Sequence, residues 1–143
     1  DALGVEIRLP VDHVAAESFA ADAEAVVVNS MSLPDHLMGL DIGPVTGEQY
    51  SRCLSKAKTV FWNGPMGVFE FSQFSAGTRT VANAIATSSA WSVVGGGDSV
   101  RAVVESGRAD AIDHISTGGG ASLEFIEGQV LPGIAALMER EEK

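Results

Sequence analysis

Three times in this chain a short strand-like run ends in a glycine-dense turn and passes into a helical pattern. The runs are Thr59–Trp62, Trp91–Val94 and His114–Ser116. They end in Asn63-Gly64-Pro65, in Gly95-Gly96-Gly97-Asp98-Ser99 and in Thr117-Gly118-Gly119-Gly120. The apolar run Thr59–Trp62 suits a strand buried on both faces of a parallel sheet. The crossovers fall at about 74–89, with Val81, Ala82 and Ile85 inward, at the segment carrying Val100, Val103 and Val104 on one stripe, and at 121–127. Strand, turn and helix in that repeated order predict a parallel α/β sheet. They also limit where a ligand can sit, because open sheets of this kind bind in the crevice beyond the carboxyl ends of their strands.

The rest of the chain is less regular. Asp1–Leu3 before Gly4 reads as the end of a helix with its glycine cap, leading into a strand at Val5–Leu9. On that reading an amino-terminal portion is expected to be missing. Val11–Ser18 and Ala25–Ser30 lean towards strand, and SLPDHLMGLDIGP reads as a loop. Thr46–Ala57 predicts a helix, with a Thr46/Gln49 capping box and Tyr50, Cys53, Leu54 and Ala57 on one face. Leu131–Met138 is amphipathic and begins beside Pro132. No repeat, low-complexity tract or linker divides the chain.

Composition excludes some partners. The net charge is −10, from 9 Lys+Arg against 19 Asp+Glu, which opposes nucleic acid or an anionic membrane as a partner. Glu139, Glu141 and Glu142 account for part of it as a solvated tail. No apolar run approaches the roughly 20 residues of a membrane helix, and DALGVEIRLP lacks the features of a secretory signal. Cys53 is the single cysteine, so neither an internal disulfide nor a cysteine metal cluster can form. The expected location is the cytoplasm.

The three turns are where chemistry can be carried. Glycine lets the backbone approach a bulky ligand and present N–H groups to an anion, and three such turns on one sheet edge point to a phosphate site. A Walker loop is excluded because no Gly-Lys pair occurs. The dinucleotide pattern GxGxxG fails from Gly95, which meets Val100, and from Gly118, which meets Leu123. Asp98 can cap a helix, or it can hold a magnesium ion between itself and a phosphate. Ser99 can donate to a phosphate oxygen or share the capping. Asn63 can form an Asx turn or reach a ligand. Glu70 lies in the apolar run Val68-Phe69-Glu70-Phe71, where desolvation would be costly without donors such as sugar hydroxyls. Trp62, Trp91 and Phe69 read as core. His13, His36 and His114 read as structural or surface histidines, and Asp110 and Asp113 as a solvated turn.

Taken in order, GLDIGP, TVFWNGPMGVFE, the Phe74–Thr78 helix start, VVGGGDS and HISTGGGASLEFIEG followed by LPG resemble the carboxyl-terminal, nucleotide-binding domain of the phosphoglycerate kinase family. The resemblance runs from about Leu9 to Leu137. It implies an α/β fold, a three-layer αβα Rossmann-like parallel sheet, of which residues 1–143 would be a part. It also implies reversible phosphoryl transfer from 1,3-bisphosphoglycerate to ADP, giving 3-phosphoglycerate and ATP, with Mg2+ as cofactor. Gly39 would line the adenine pocket, Asn63 approach the α-phosphate and Glu70 bind the ribose. Gly96 and Gly97 would lie against the phosphates, with Asp98 on magnesium and Ser99 on a phosphate oxygen. Gly118, Gly119 and Gly120 would offer backbone donors near the transferred group, making Gly97, Gly119 and Gly120 the catalytic positions.

The family also carries an amino-terminal substrate domain with basic residues, and lysines earlier in the nucleotide domain. Here none of the 9 basic residues lies inside a glycine turn, and Arg101, the nearest, is expected to point away. The chain is therefore expected to be inactive alone, to expose an apolar sheet face, and to be less stable than a whole domain or to pair with a complementary fragment. A non-catalytic nucleotide- or phosphate-binding module is the alternative reading. An oxidoreductase is disfavoured by the failed dinucleotide pattern.

Overall fold

The computed structural model describes residues 3–138 and contains two three-stranded sheets. The first is antiparallel, in the order β2-β1-β3, with β1 at His13–Ala16, β2 at Val26–Val28 and β3 at Met38–Ile42. The second is parallel, in the order β4-β5-β6, with β4 at Thr59–Trp62, β5 at Trp91–Gly95 and β6 at His114–Ser116. Helices α1 (Pro44–Leu54), α2 (Ala76–Thr87), α3 (Gly97–Glu105), α4 (Gly120–Ile126) and α5 (Pro132–Met138) complete the mixed α/β architecture. Among the described residues no helix is long and apolar enough to cross a membrane.

The parallel sheet is where the sequence pattern predicts it. Its inner face buries Val60, Trp62 and Val94 against Val81, Ala82 and Ile85 of α2 and Ala102 and Val103 of α3. Each large aliphatic side chain buried this way stabilises the fold by about 1.5–3 kcal/mol. The outer face is different. Phe61 is only partly covered, and Trp91 is 56% exposed, so it is not the core residue its apolar character predicts. With Val93, Phe125, Leu131 and Ile134 these side chains line a cavity of about 690 Å³ between the sheet and α4–α5. Thr59–Trp62 is thus buried on one face, not two. Val104 also leaves the predicted stripe and is exposed.

Helix α1 begins earlier than predicted, and the Thr46/Gln49 capping box does not form. Pro44 opens the helix, a position where its missing N–H costs nothing. The buried carboxylate of Asp12, next to β1, accepts the N–H groups of Val45 at 2.9 Å and Thr46 at 2.8 Å. Thr46 Oγ1 faces backwards, accepting from Val11 N at 3.0 Å and Asp12 N at 3.2 Å. A side chain at Gly43 would collide with the Asp12 carboxylate, so the close approach requires glycine.

Two other expectations fail. Val5–Leu9 is not a strand: it is exposed and pairs with no strand among the described residues, although Tyr50 Oη donates to Arg8 O at 3.0 Å. Gly4 does adopt φ 64°, but part of the helix end proposed before it, like the tail glutamates 139, 141 and 142, lies outside the described residues. Conversely, the GLDIGP stretch read as loop forms β3. Its pairing with β1 is irregular between Val14 and Ala15, which pair with Asp41 and Gly39 and leave Leu40 as the extra residue of a bulge. The freed carbonyl of Leu40 accepts Val68 N at 2.8 Å, which ties the antiparallel sheet to the turn after β4.

Candidate functional site

The turns after β4 and β5 meet. In the register of the parallel sheet Trp62 lies beside Val94, so the two turns leave the sheet at the same level. Gly64 takes φ 115°, and its N–H donates to Ser99 Oγ at 2.5 Å, while Trp62 Nε1 donates to Gly64 O at 2.7 Å. Gly96 has φ 88°, and a Cβ there would stand 2.8 Å from Asn63 Oδ1. Both the left-handed conformation and the crowding select glycine. Gly97, by contrast, faces open space, and Asp98 is exposed in the first turn of α3. Asn63, Gly96, Gly97, Asp98 and Ser99 are therefore gathered in one place, as the motifs predict.

The turn after β6 starts alongside, because Ser116 pairs with Gly95. Gly119 takes φ 50° before α4, and the Ser116 and Ser122 hydroxyls, 2.6 Å apart, crowd Gly118. Gly120 has open space around its α-carbon. Gly39 stands apart from these turns on β3, exposed and packed against Leu33, and is connected to them through its neighbour Leu40.

Three site residues behave differently from expectation. Glu70 is not desolvated: it is exposed, with its carboxylate 3.1 Å from Arg101 Nη2. Arg101 does not point away, but turns over the Phe69 ring, 4.7 Å from its centroid, to reach Glu70. Ser99 is only 1% exposed, with its hydroxyl oxygen committed to Gly64 N. That hydroxyl still has a proton to donate.

The support beneath the turns was not legible as function. Thr78, buried on α2, accepts Met66 N at 3.1 Å and Gly67 N at 3.3 Å. Asp41, buried on β3, accepts Gly77 N at 2.7 Å and Ile42 N at 2.9 Å, and Gly67 packs against its carboxylate. Burial outweighs those hydrogen bonds and raises the Asp41 carboxyl from 3.8 to about 6. The available signal was an aspartate between Leu40 and Ile42 in an apolar stretch. Elsewhere Asp113 is exposed, as a solvated turn predicts, and in addition it accepts Ser92 N at 2.7 Å and Ser92 Oγ at 2.8 Å.

Among the described residues no group of three or more His, Cys, Asp or Glu side chains is arranged to hold a metal ion. Asp98 alone still fits magnesium, which keeps several waters and takes one or two carboxylates with phosphate oxygens. No ligand-side crowding obstructs it, since Gly97 is open.

Fold and turns together define a mixed α/β protein with glycine-lined turns at the carboxyl ends of a parallel sheet. The family model described as phosphoglycerate kinase matches residues 1–129. The chain belongs to the phosphoglycerate kinase family. It is 60% identical over 136 residues to the phosphoglycerate kinase of Deinococcus radiodurans, covering 94% of this chain and 33% of that one. It is 58% identical over 137 residues to that of Clostridium tetani, covering 96% and 34% respectively. Among solved structures, the phosphoglycerate kinase of Coxiella burnetii superposes with a TM-score of 0.85 at 42% identity, over 90% of this chain and 34% of that one. The enzyme of Pyrococcus horikoshii gives 0.81 at 43% identity, over 95% and 33%. The chain thus spans about a third of the length of the relatives it matches.

Proposed function

We propose that this chain is the partial carboxyl-terminal, nucleotide-binding domain of a cytoplasmic phosphoglycerate kinase, and that it binds Mg-ADP or Mg-ATP. In that enzyme the acyl phosphate of 1,3-bisphosphoglycerate passes to ADP, giving 3-phosphoglycerate and ATP in glycolysis. The observation that supports the reading most is the junction of the turns after β4 and β5, where Gly64 N meets Ser99 Oγ and Asn63 lies against Gly96.

In this reading Gly39 lines the adenine pocket, Asn63 approaches the α-phosphate and Glu70 takes the ribose hydroxyls. Gly96 and Gly97 let the phosphates approach the start of α3, whose first N–H groups lack helical partners. Ser99 holds the Gly64 turn through its oxygen and donates its proton to a phosphate. Asp98 holds magnesium, which supplies charge neutralisation when bound. The backbone N–H groups of Gly97, Gly119 and Gly120 lie nearest the transferred group. Such a transfer needs alignment and charge compensation more than covalent help from the protein. The cations that complete it belong to the amino-terminal domain of the complete enzyme, which also holds the phosphoglycerate, and to lysines earlier in the nucleotide domain, so this chain alone is inactive. Its open sheet face favours pairing with a complementary piece of the same enzyme.

Calorimetric titration with Mg-ADP tests the site. Saturable binding that is lost or strongly weakened in Asp98→Ala is the expected result. No binding, or binding indifferent to that substitution, would sink the reading for this chain. Adding the remaining portion of a phosphoglycerate kinase should restore phosphoryl transfer. Nucleotide binding without restored transfer would indicate a binding module instead.

A further inference from the structure

Arg101 occupies a place that the three glycine turns do not explain. It projects from α3 just beyond Ser99, and its guanidinium makes three contacts at once. Nη2 lies 3.1 Å from Glu70 Oε1, Nε donates to Glu105 Oε1 at 2.9 Å, and the group stacks over the ring of Phe69 at 4.7 Å. Phe69 is buried, which gives the guanidinium a fixed platform, and the planar group stacks on the ring while its fork directs N–H donors to both carboxylates, a combination an ammonium lacks.

The turn that runs from Asn63 to Glu70 is consequently fastened to α3 at both ends. The near fastening is the Gly64–Ser99 hydrogen bond, and the far one is the Glu70–Arg101 pair. Charge adds a second reason for the contact. Glu70 and Glu105 contact Arg101, the charge of Asp98 also acts on it, and no Lys or Arg belongs to the turns themselves. Polyphosphate arriving here would meet carboxylates, and a cation among them reduces that repulsion.

We propose that Arg101 is a positioning residue for the nucleotide: it aims the Glu70 carboxylate at the ribose hydroxyls and offsets its charge beside the phosphates. The inference rests on the nucleotide reading above and adds to it a residue that reads the sugar through Glu70.

The test compares Mg-ADP with Mg-2′-deoxy-ADP and Mg-3′-deoxy-ADP on the chain and on Arg101→Ala, Arg101→Lys and Glu70→Gln. Arg101→Ala should weaken Mg-ADP about two- to fivefold, in keeping with an exposed ion pair. The loss should be smaller for the deoxy nucleotides and should vanish in a Glu70→Gln background. Arg101→Lys should recover affinity only in part. Equal losses for all three nucleotides, or a loss that persists without Glu70, would overturn the proposal. If the unsubstituted chain binds no Mg-ADP, the nucleotide reading fails, and the clamp is judged without ligand. Amide hydrogen exchange at Val68, Phe69 and Phe71 should then quicken in Arg101→Ala while α1 is unchanged, and identical exchange would refute the clamp as well.

Discussion

Helices α1 and α2 begin on buried carboxylates supplied from elsewhere in the chain, whereas α3 and α4 begin on bare glycine. Asp12 fills the first turn of α1, and Asp41 reaches Gly77 in the first turn of α2. Gly96 and Gly119 open α3 and α4 with positive φ and no capping side chain. All four helix starts need acceptors for their free N–H groups. The first pair is satisfied internally and serves the fold. The second pair is left exposed to whatever anion arrives, and the proposed nucleotide site lies there. An acceptor supplied by the chain marks a structural helix start, and its absence beside glycine marks a candidate site.

The sharpest way to break this contrast is to empty an internally filled start. Asp12→Ala removes the acceptor for Val45 N and Thr46 N in a buried setting, and should cost about 2–3 kcal/mol in urea unfolding at neutral pH. A loss under about 0.5 kcal/mol would mean that water replaces the carboxylate and that α1 is no more closed than α3.

The two aspartates should also respond oppositely to pH. Burial opposes ionisation of Asp12, yet hydrogen bonds from Thr46 and Val45 hold its carboxyl below the usual range. Its contribution is present above the unfolded value and lost as pH falls through the folded one. Asp41 is raised from 3.8 to about 6, so the unfolded chain releases its proton first. Stability from this group is therefore full below about pH 4 and declines, by about 2–3 kcal/mol, as pH rises through 6. Unfolding measured from pH 4 to 7 should lose that decline in Asp41→Asn. An unchanged slope in the variant would show that Asp41 is not its source.

The smallest effect on stability belongs to the open starts. Gly97→Ala meets no atom within 4 Å and sits in helical backbone, so the melt should shift by no more than about 0.5 kcal/mol in either direction. Mg-ADP binding should weaken in the same variant, because a methyl group would stand where the phosphates approach. Unaltered binding would separate the open helix start from the nucleotide site.

The parallel sheet and its turns were legible because their signals are local. Thr59–Trp62 and Trp91–Val94 are apolar runs with glycine at their ends, and no distant residue is needed to recognise them. The antiparallel sheet was only half legible. Met38–Ile42 contains a glycine and an aspartate and becomes a strand only because β1 is there to pair with it, while Val5–Leu9 has strand composition and no partner. Glu70 misled for a related reason: its apolar neighbours suggested burial, but the residue that decides its environment is Arg101, far along the chain. Periodicity sees which way a side chain could face. It does not see a bulge, a cross-chain cap or an ion pair between elements.

The bulge at Leu40 makes the count of residues in β3 matter more than their identity. Because it interrupts the alternation of the strand, Leu40, Asp41 and Ile42 are all buried, and Asp41 faces α2. Deleting one residue there would do more than shorten the strand. It would exchange inside for outside, withdrawing the acceptor from Gly77 and the Leu40 carbonyl from Val68 in a single event. The exposed stretch between β2 and β3 carries no such parity, so length can drift through residues 29–36 and not through 38–42.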